Sequence, residues 1–192
     1  MKILIISDIH GDYEACKKVL QNEADKIIIL GDLLKTSLGN PKMSISKEGE
    51  HISTLLNRYA SQIIAVKGNC DTYGDDDLFD FDTTKDYRVL EIDGLKFYLT
   101  HGNYYNKYDL PPIEKGSVLL QGHTHIADLS IEEGIYCVNP GSISLPRKGD
   151  TTYCIYEDNC FKIFELNENK SIKEMKIKKG RKYWEWKLLV IK

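Results

Sequence analysis

The chain has 192 residues, 42% of them apolar and 29% charged, with 26 Lys and Arg against 29 Asp and Glu for a net charge of -3. A chain of this length and composition suits one globular domain that buries roughly 70% of its unfolded surface, which excludes a disordered or fibrous protein. No strictly apolar run exceeds four residues, well short of the about 20 that a membrane span requires, and the charge balance excludes a globally cationic surface for nucleic acid.

In chain order, Ile3 to Ile6 reads as a strand covered on both faces. Ser7, Asp8 and His10 follow too soon for a signal peptide. Asp12 is placed to cap a helix through about Asn22, with Cys16, Val19 and Leu20 on one face. Ile27 to Leu30 is a second buried strand, and a crossover of this length favours a parallel pair. The Ser-rich stretch 34–49 reads as a long surface loop, in which Lys35, Thr36, Asn40 and Lys42 are candidates to touch a ligand. Ile52, Leu55, Leu56 and Tyr59 then mark a helix, and Ile63 to Val66 a third buried strand. Tyr87–Ile92 and Leu95–Thr100 flank Asp93-Gly94, a strong hairpin signal. Val118 to Leu120 is a short buried strand, Glu133-Gly134 marks a turn, and Thr152–Glu157 pairs with Phe161–Leu166 around Asp158-Asn159. The first half therefore supplies α/β units and the second mostly antiparallel strands, an arrangement that two facing sheets with helices outside would bury. Five cysteines, with no CxxC pair and no secretory signal, read as reduced thiols of a cytoplasmic protein. Cys16, Cys137, Cys154 and Cys160 read as core residues.

The chemistry sits where buried strands end. The first strand runs into Asp8 and His10, the second into Gly31-Asp32, and the third into Gly68-Asn69-Cys70-Asp71. The strand after the hairpin turn runs into His101-Gly102, and the next into Gly122-His123-Thr124-His125. Strand ends of this kind gather at one edge, where ligands bind. Four of the five histidines lie in these runs, and only His51 lies outside. Burying so many polar groups together is costly unless a metal or ligand satisfies them. Two aspartates, one asparagine and four histidines offer O and N donors that suit Mn2+, Fe2+, Zn2+, Ni2+ or Co2+. Seven donors are too many for one tetrahedral ion. They divide between two ions about 3.5 Å apart with one carboxylate shared.

The ordered runs DxH, GD, GNCD, HG and GHTH make the chain resemble the calcineurin-like metallophosphoesterases, and its small YfcE-like branch in particular, where Asn139-Pro140-Gly141-Ser142 also has a counterpart. The resemblance covers residues 1–177. It implies an α/β fold, a four-layer α/β/β/α sandwich of two mixed sheets flanked by helices. It implies Asp8, His10 and His125 on a first ion, Asn69, His101 and His123 on a second, and Asp32 bridging them, a role that suits a carboxylate with two oxygens to share. Asp8, Asp32, Asn69 and His101, with Cys70 and Asp71 beside them, are then the candidate catalytic residues. The activity implied is hydrolysis of a small-molecule phosphodiester by a hydroxide bridging the two ions. Phosphomonoester or nucleotide hydrolysis on the same centre is the alternative. Cys70 departs from the histidine that many members carry to contact phosphate, which puts substrate scope in question.

Among members of this fold, the rival from another class is a non-catalytic protein-binding scaffold of the retromer-subunit type. Such scaffolds lack some of the ligands, whereas all seven are intact here. No membrane or nucleic-acid partner is expected, and self-association is common in such small enzymes. Residues 178–192 form a basic and aromatic extension that holds both tryptophans, expected to dock on its own domain or on a second subunit.

Overall fold

The computed structural model describes residues 1–34, 47–72 and 74–178. The expectation for Lys35, Thr36, Asn40 and Lys42, and that for the extension beyond Lys178, lie outside the described residues.

Among the described residues, eleven strands form two mixed sheets. In the first, β1 (Ile3–Ile6), β2 (Lys26–Ile29) and β3 (Ile63–Ala65) are parallel. It continues on the other side of β1 through the antiparallel β9 (Thr152–Glu157), β10 (Cys160–Glu165) and β11 (Ser171–Lys176), in the order β11-β10-β9-β1-β2-β3. The second sheet holds β4 (Tyr87–Ile92), β5 (Leu95–Thr100), β6 (Val118–Leu120), β7 (Asp128–Glu132) and β8 (Ile135–Asn139) in the order β4-β5-β6-β8-β7. Within it β5, β6 and β8 are parallel.

The continuous apolar run of β1 follows from its position. Ile3 and Ile5 pack between the sheets with Ile28, Leu30, Phe97, Leu99, Val118 and Leu120. Leu4 and Ile6 face the other way, into a second core with α1 (Tyr13–Val19) and α2 (Lys47–Asn57) through Cys16, Val19, Ile52, Leu55 and Leu56. The outer face of the second sheet is a smaller core, where Leu110 and Ile113 of the connection to β6 pack on Leu119, Ile135 and Cys137. Two mixed sheets flanked by helices, consistent with a four-layer α/β/β/α sandwich, result.

Local boundaries have physical causes. Asp12 caps α1 by accepting a 2.9 Å hydrogen bond from the Ala15 amide. The helix stops at Val19, short of Asn22, where the Asn22 amide and side chain both donate to the Val19 carbonyl in place of a continued turn. Asp93-Gly94, Glu133-Gly134 and Asp158-Asn159 all carry positive φ, the twist that two-residue hairpins need. Cys16, Cys137, Cys154 and Cys160 are buried. No helix among the described residues is long and apolar enough to cross a membrane.

Candidate metal centre

The C-terminal ends of β1, β2, β3, β5 and β6 bring the predicted donors together, as parallel strands must when each runs in the same sense within its sheet. The backbone there is unusual. Asp8, His10, Asp32, His123 and His125 have φ between 46° and 64°, a left-handed conformation that side-chain-bearing residues adopt at a cost. It turns five donor-bearing side chains back toward one point.

Two half-sites meet at Asp32. In the first, Asp8, His10, Asp32 and His125 each bring one donor atom within 4.8 Å of the others. His125 Nδ1 is 2.6 Å from the Leu145 carbonyl oxygen. A carbonyl has no proton to give, so Nδ1 carries it and Nε2 presents a lone pair. That nitrogen lies 3.2 Å from Asp8 Oδ1 and 3.2 Å from His10 Nε2. With that nitrogen unprotonated, Asp8 Oδ1 is buried without a hydrogen-bond partner. In the second half-site, His101 is fully buried and its Nδ1 donates to the Leu30 carbonyl at 2.7 Å. Its Nε2 then faces Asn69 Oδ1 at 3.0 Å, His123 Nδ1 at 3.2 Å and Asp32 Oδ2 at 3.5 Å. Asp32 Oδ2 is also 3.6 Å from His10 Nε2. Lone pairs facing lone pairs repel unless a cation lies between them, so the donor chemistry fits divalent metal ions.

Burial pushes the imidazoles of His10 and His123 below their ordinary pKa, which favours the neutral, ligating form. His125 moves the other way, because the Asp8 carboxylate holds a proton on it. Burial pulls Asp8 upward, but its imidazole neighbours, His125 above all, outweigh it, and the carboxyl sits below its usual value. A proton and a metal ion thus compete for one position.

The surrounding groups fix this geometry. Asp71 accepts from the amides of Asp32 at 2.9 Å, Gly68 at 2.7 Å and Leu33 at 2.8 Å, tying the ends of β2 and β3 together. Burial pushes its carboxyl up to about 6. The Cys70 amide donates to Asp32 Oδ1 at 2.8 Å, which leaves Oδ2 to face both half-sites. Asn69 Nδ2 donates to Cys70 Sγ at 3.3 Å and so aims Oδ1 at His101. Burial and the Asp32 charge push the Cys70 thiol up to about 12, so it stays protonated. Ser142 and Ser144 both donate to the Asp8 carbonyl, at 2.8 and 2.9 Å, and Asn139 Nδ2 donates to the Gly122 carbonyl at 2.8 Å. The Asn139-Pro140-Gly141-Ser142 turn therefore braces the loops that carry Asp8 and His123.

Gly31 shows how closely these turns are packed. Its φ is +89°, and a Cβ there would lie 2.5 Å from the Gly68 amide nitrogen and 2.9 Å from His101 Nδ1. Gly31→Ala is expected to destabilise the protein by about 2–3 kcal/mol, because backbone has to yield. Urea denaturation of the variant beside the parent measures it, and an unchanged midpoint would contradict the packing described.

All seven predicted donors converge, and Cys70 and Asp71 lie beside them as the chain order requires. His51 stays apart, exposed on α2 with its ring 6.0 Å from that of Tyr13. Sequence reading missed the carbonyls of Leu30 and Leu145, which set the imidazole tautomers, and the serine pair on Asp8. Main-chain acceptors leave no trace in side-chain patterns, but the position of the Asn-Pro-Gly-Ser run at a sixth strand end was a signal for the serines.

Residues 1–159 match the calcineurin-like phosphoesterase superfamily domain. The chain is 31% identical over 182 residues to Phosphodiesterase YfcE of Escherichia coli K12, covering 92% of this chain and 98% of that one. The solved structure of YfcE, described as a phosphoesterase from E. coli, superposes with a TM-score of 0.83 at 30% identity, over 93% of this chain and 100% of that one. Vps29 of Entamoeba histolytica, solved in complex with zinc, shares the fold at a TM-score of 0.57 and 18% identity, over 93% and 100% of the two chains. The chain belongs to the calcineurin-like phosphoesterase superfamily and is closely related to its YfcE-type branch.

Proposed function

We propose that this protein hydrolyses small-molecule phosphodiesters on a centre of two divalent ions, with Mn2+ the favoured metal. The observation that carries this reading is the pair of half-sites joined at Asp32, whose Oδ2 stands 3.6 Å from His10 Nε2 and 3.5 Å from His101 Nε2. Asp8, His10 and His125 would hold one ion, Asn69, His101 and His123 the other, and Asp32 both. Bound there, such a pair supplies Lewis acidity that lowers the pKa of water and offsets charge on phosphoryl oxygens.

The chain's own residues do the rest. Leu30 and Leu145 hold protons on the remote nitrogens of His101 and His125, so in the neutral imidazole each near nitrogen presents its lone pair to the centre. Asp71 keeps Asp32 and Gly68 in register. Cys70, a protonated thiol, is no nucleophile and only a weak hydrogen-bond donor toward a departing oxygen. Esters whose leaving groups need no proton should therefore react best. Cys70→His is expected to raise turnover of unactivated alkyl diesters by about tenfold or more relative to activated phenolic ones. A uniform change across both classes would contradict the assignment.

The function is tested with metal-stripped protein, Mn2+ added back, and bis-p-nitrophenyl phosphate beside p-nitrophenyl phosphate. Restored turnover of the diester well above the monoester supports it. A monoester preference moves the activity to phosphomonoesterase. Inactivity with Mn2+, Ni2+, Co2+, Fe2+ and Zn2+, in folded protein shown to bind them, sinks the hydrolase reading.

A further inference from the structure

The segment after the Asn-Pro-Gly-Ser turn wraps His125. Ser142 Oγ accepts from the amides of Ser144 at 3.1 Å and Leu145 at 2.8 Å, which fixes the start of the segment. The Leu145 carbonyl accepts from His125 Nδ1 at 2.6 Å, and the Arg147 amide donates to the His125 carbonyl at 3.1 Å. Arg147 is thus pinned by its own backbone to a residue of the first half-site. Its side chain is exposed, and it forms no ion pair with any described residue.

The imidazole itself separates Arg147 from the cluster. Its Nε2 edge faces Asp8 and His10, while its Nδ1 edge and backbone face residues 145–147. Arg147 therefore starts from the side of His125 away from the point where Asp8, Asp32 and the imidazoles converge, and its exposed side chain stands beside the cluster and not within it. A planar fork of donors with no carboxylate to bind is matched by a phosphoryl group.

We infer that Arg147 is a specificity-determining residue that receives a second phosphoryl group of the substrate, so that preferred substrates are phosphodiesters carrying a further phosphate beside the scissile one. The inference rests on the phosphodiesterase reading and names its substrate class.

Two readouts test this. Calorimetric binding of thymidine 3′,5′-bisphosphate and thymidine 5′-monophosphate to Mn2+-loaded protein compares ligands that differ by one phosphate. The parent is expected to favour the bisphosphate by about tenfold, Arg147→Gln to bring the ratio near one, and Arg147→Lys to fall between. Specificity constants for dithymidylate with and without a 5′-phosphate should follow the same ratios. A parent with no preference, or a preference that survives in Arg147→Gln, overturns the inference. So does an equal loss on both ligands, which would put Arg147 on the shared phosphate or on His125. Parent protein inactive on bis-p-nitrophenyl phosphate would instead sink the phosphodiesterase reading, and the binding ratio would still decide the role of Arg147.

Discussion

Asp32→Asn is expected to fold normally and to lose phosphodiester hydrolysis by at least about 100-fold, more than a supporting residue of a metal site usually costs. Asparagine tolerates the φ of 54° at this position, and its carbonyl can still accept from the Cys70 amide as Asp32 Oδ1 does. Its amide group would then replace Oδ2, placing hydrogens where both half-sites now present lone pairs and removing the negative charge they share. Circular dichroism and a urea midpoint close to the parent's, beside lost turnover, would separate chemistry from folding. Retained turnover would remove Asp32 from the centre.

Divalent metal should also stabilise the protein markedly. Asp8 Oδ1 is buried without a hydrogen-bond partner, and the near nitrogens of His10, His101 and His125 face other acceptors. A cation relieves those repulsions only in the folded state, where the donors converge. At an ion concentration about 100 times the dissociation constant, linkage adds about 2.7 kcal/mol. For a chain of this size that corresponds to a rise in Tm of about 5–10 °C. Thermal unfolding in Mn2+ against unfolding in chelator measures it, and Asp32→Asn should lose most of the shift. Because ligation requires neutral imidazoles, the shift should shrink as the pH falls. His125 begins to bind protons sooner than an ordinary histidine, since Asp8 raises its affinity. A Tm indifferent to metal would contradict the donor geometry.

Much of this was legible in the residues. The apolar runs of β1, β2 and β6 are continuous because each is buried on both faces, and the hairpins announce themselves through Asp93-Gly94 and Asp158-Asn159. The donors were legible for a related reason: a polar residue directly after a buried strand needs a partner. β11 was not. It is an edge strand whose two apolar residues, Ile172 and Met175, stand three apart and show no alternation, and Ile172 remains 39% exposed. Nor were the left-handed backbones of Asp8, His10, Asp32, His123 and His125, which are imposed by neighbouring turns and not by local propensity. Asp71 was legible as a carboxylate near the site, but not as the acceptor for three amides from two strand ends, because that depends on the β2–β3 register.

The central claim is that two half-sites sharing Asp32 each hold an ion. Anomalous scattering from crystals soaked in Mn2+ tests it most directly. The account predicts two peaks about 3.5 Å apart on either side of the Asp32 carboxylate, one against Asp8, His10 and His125 and one against Asn69, His101 and His123. A single peak at full occupancy, or peaks away from Asp32, would contradict it.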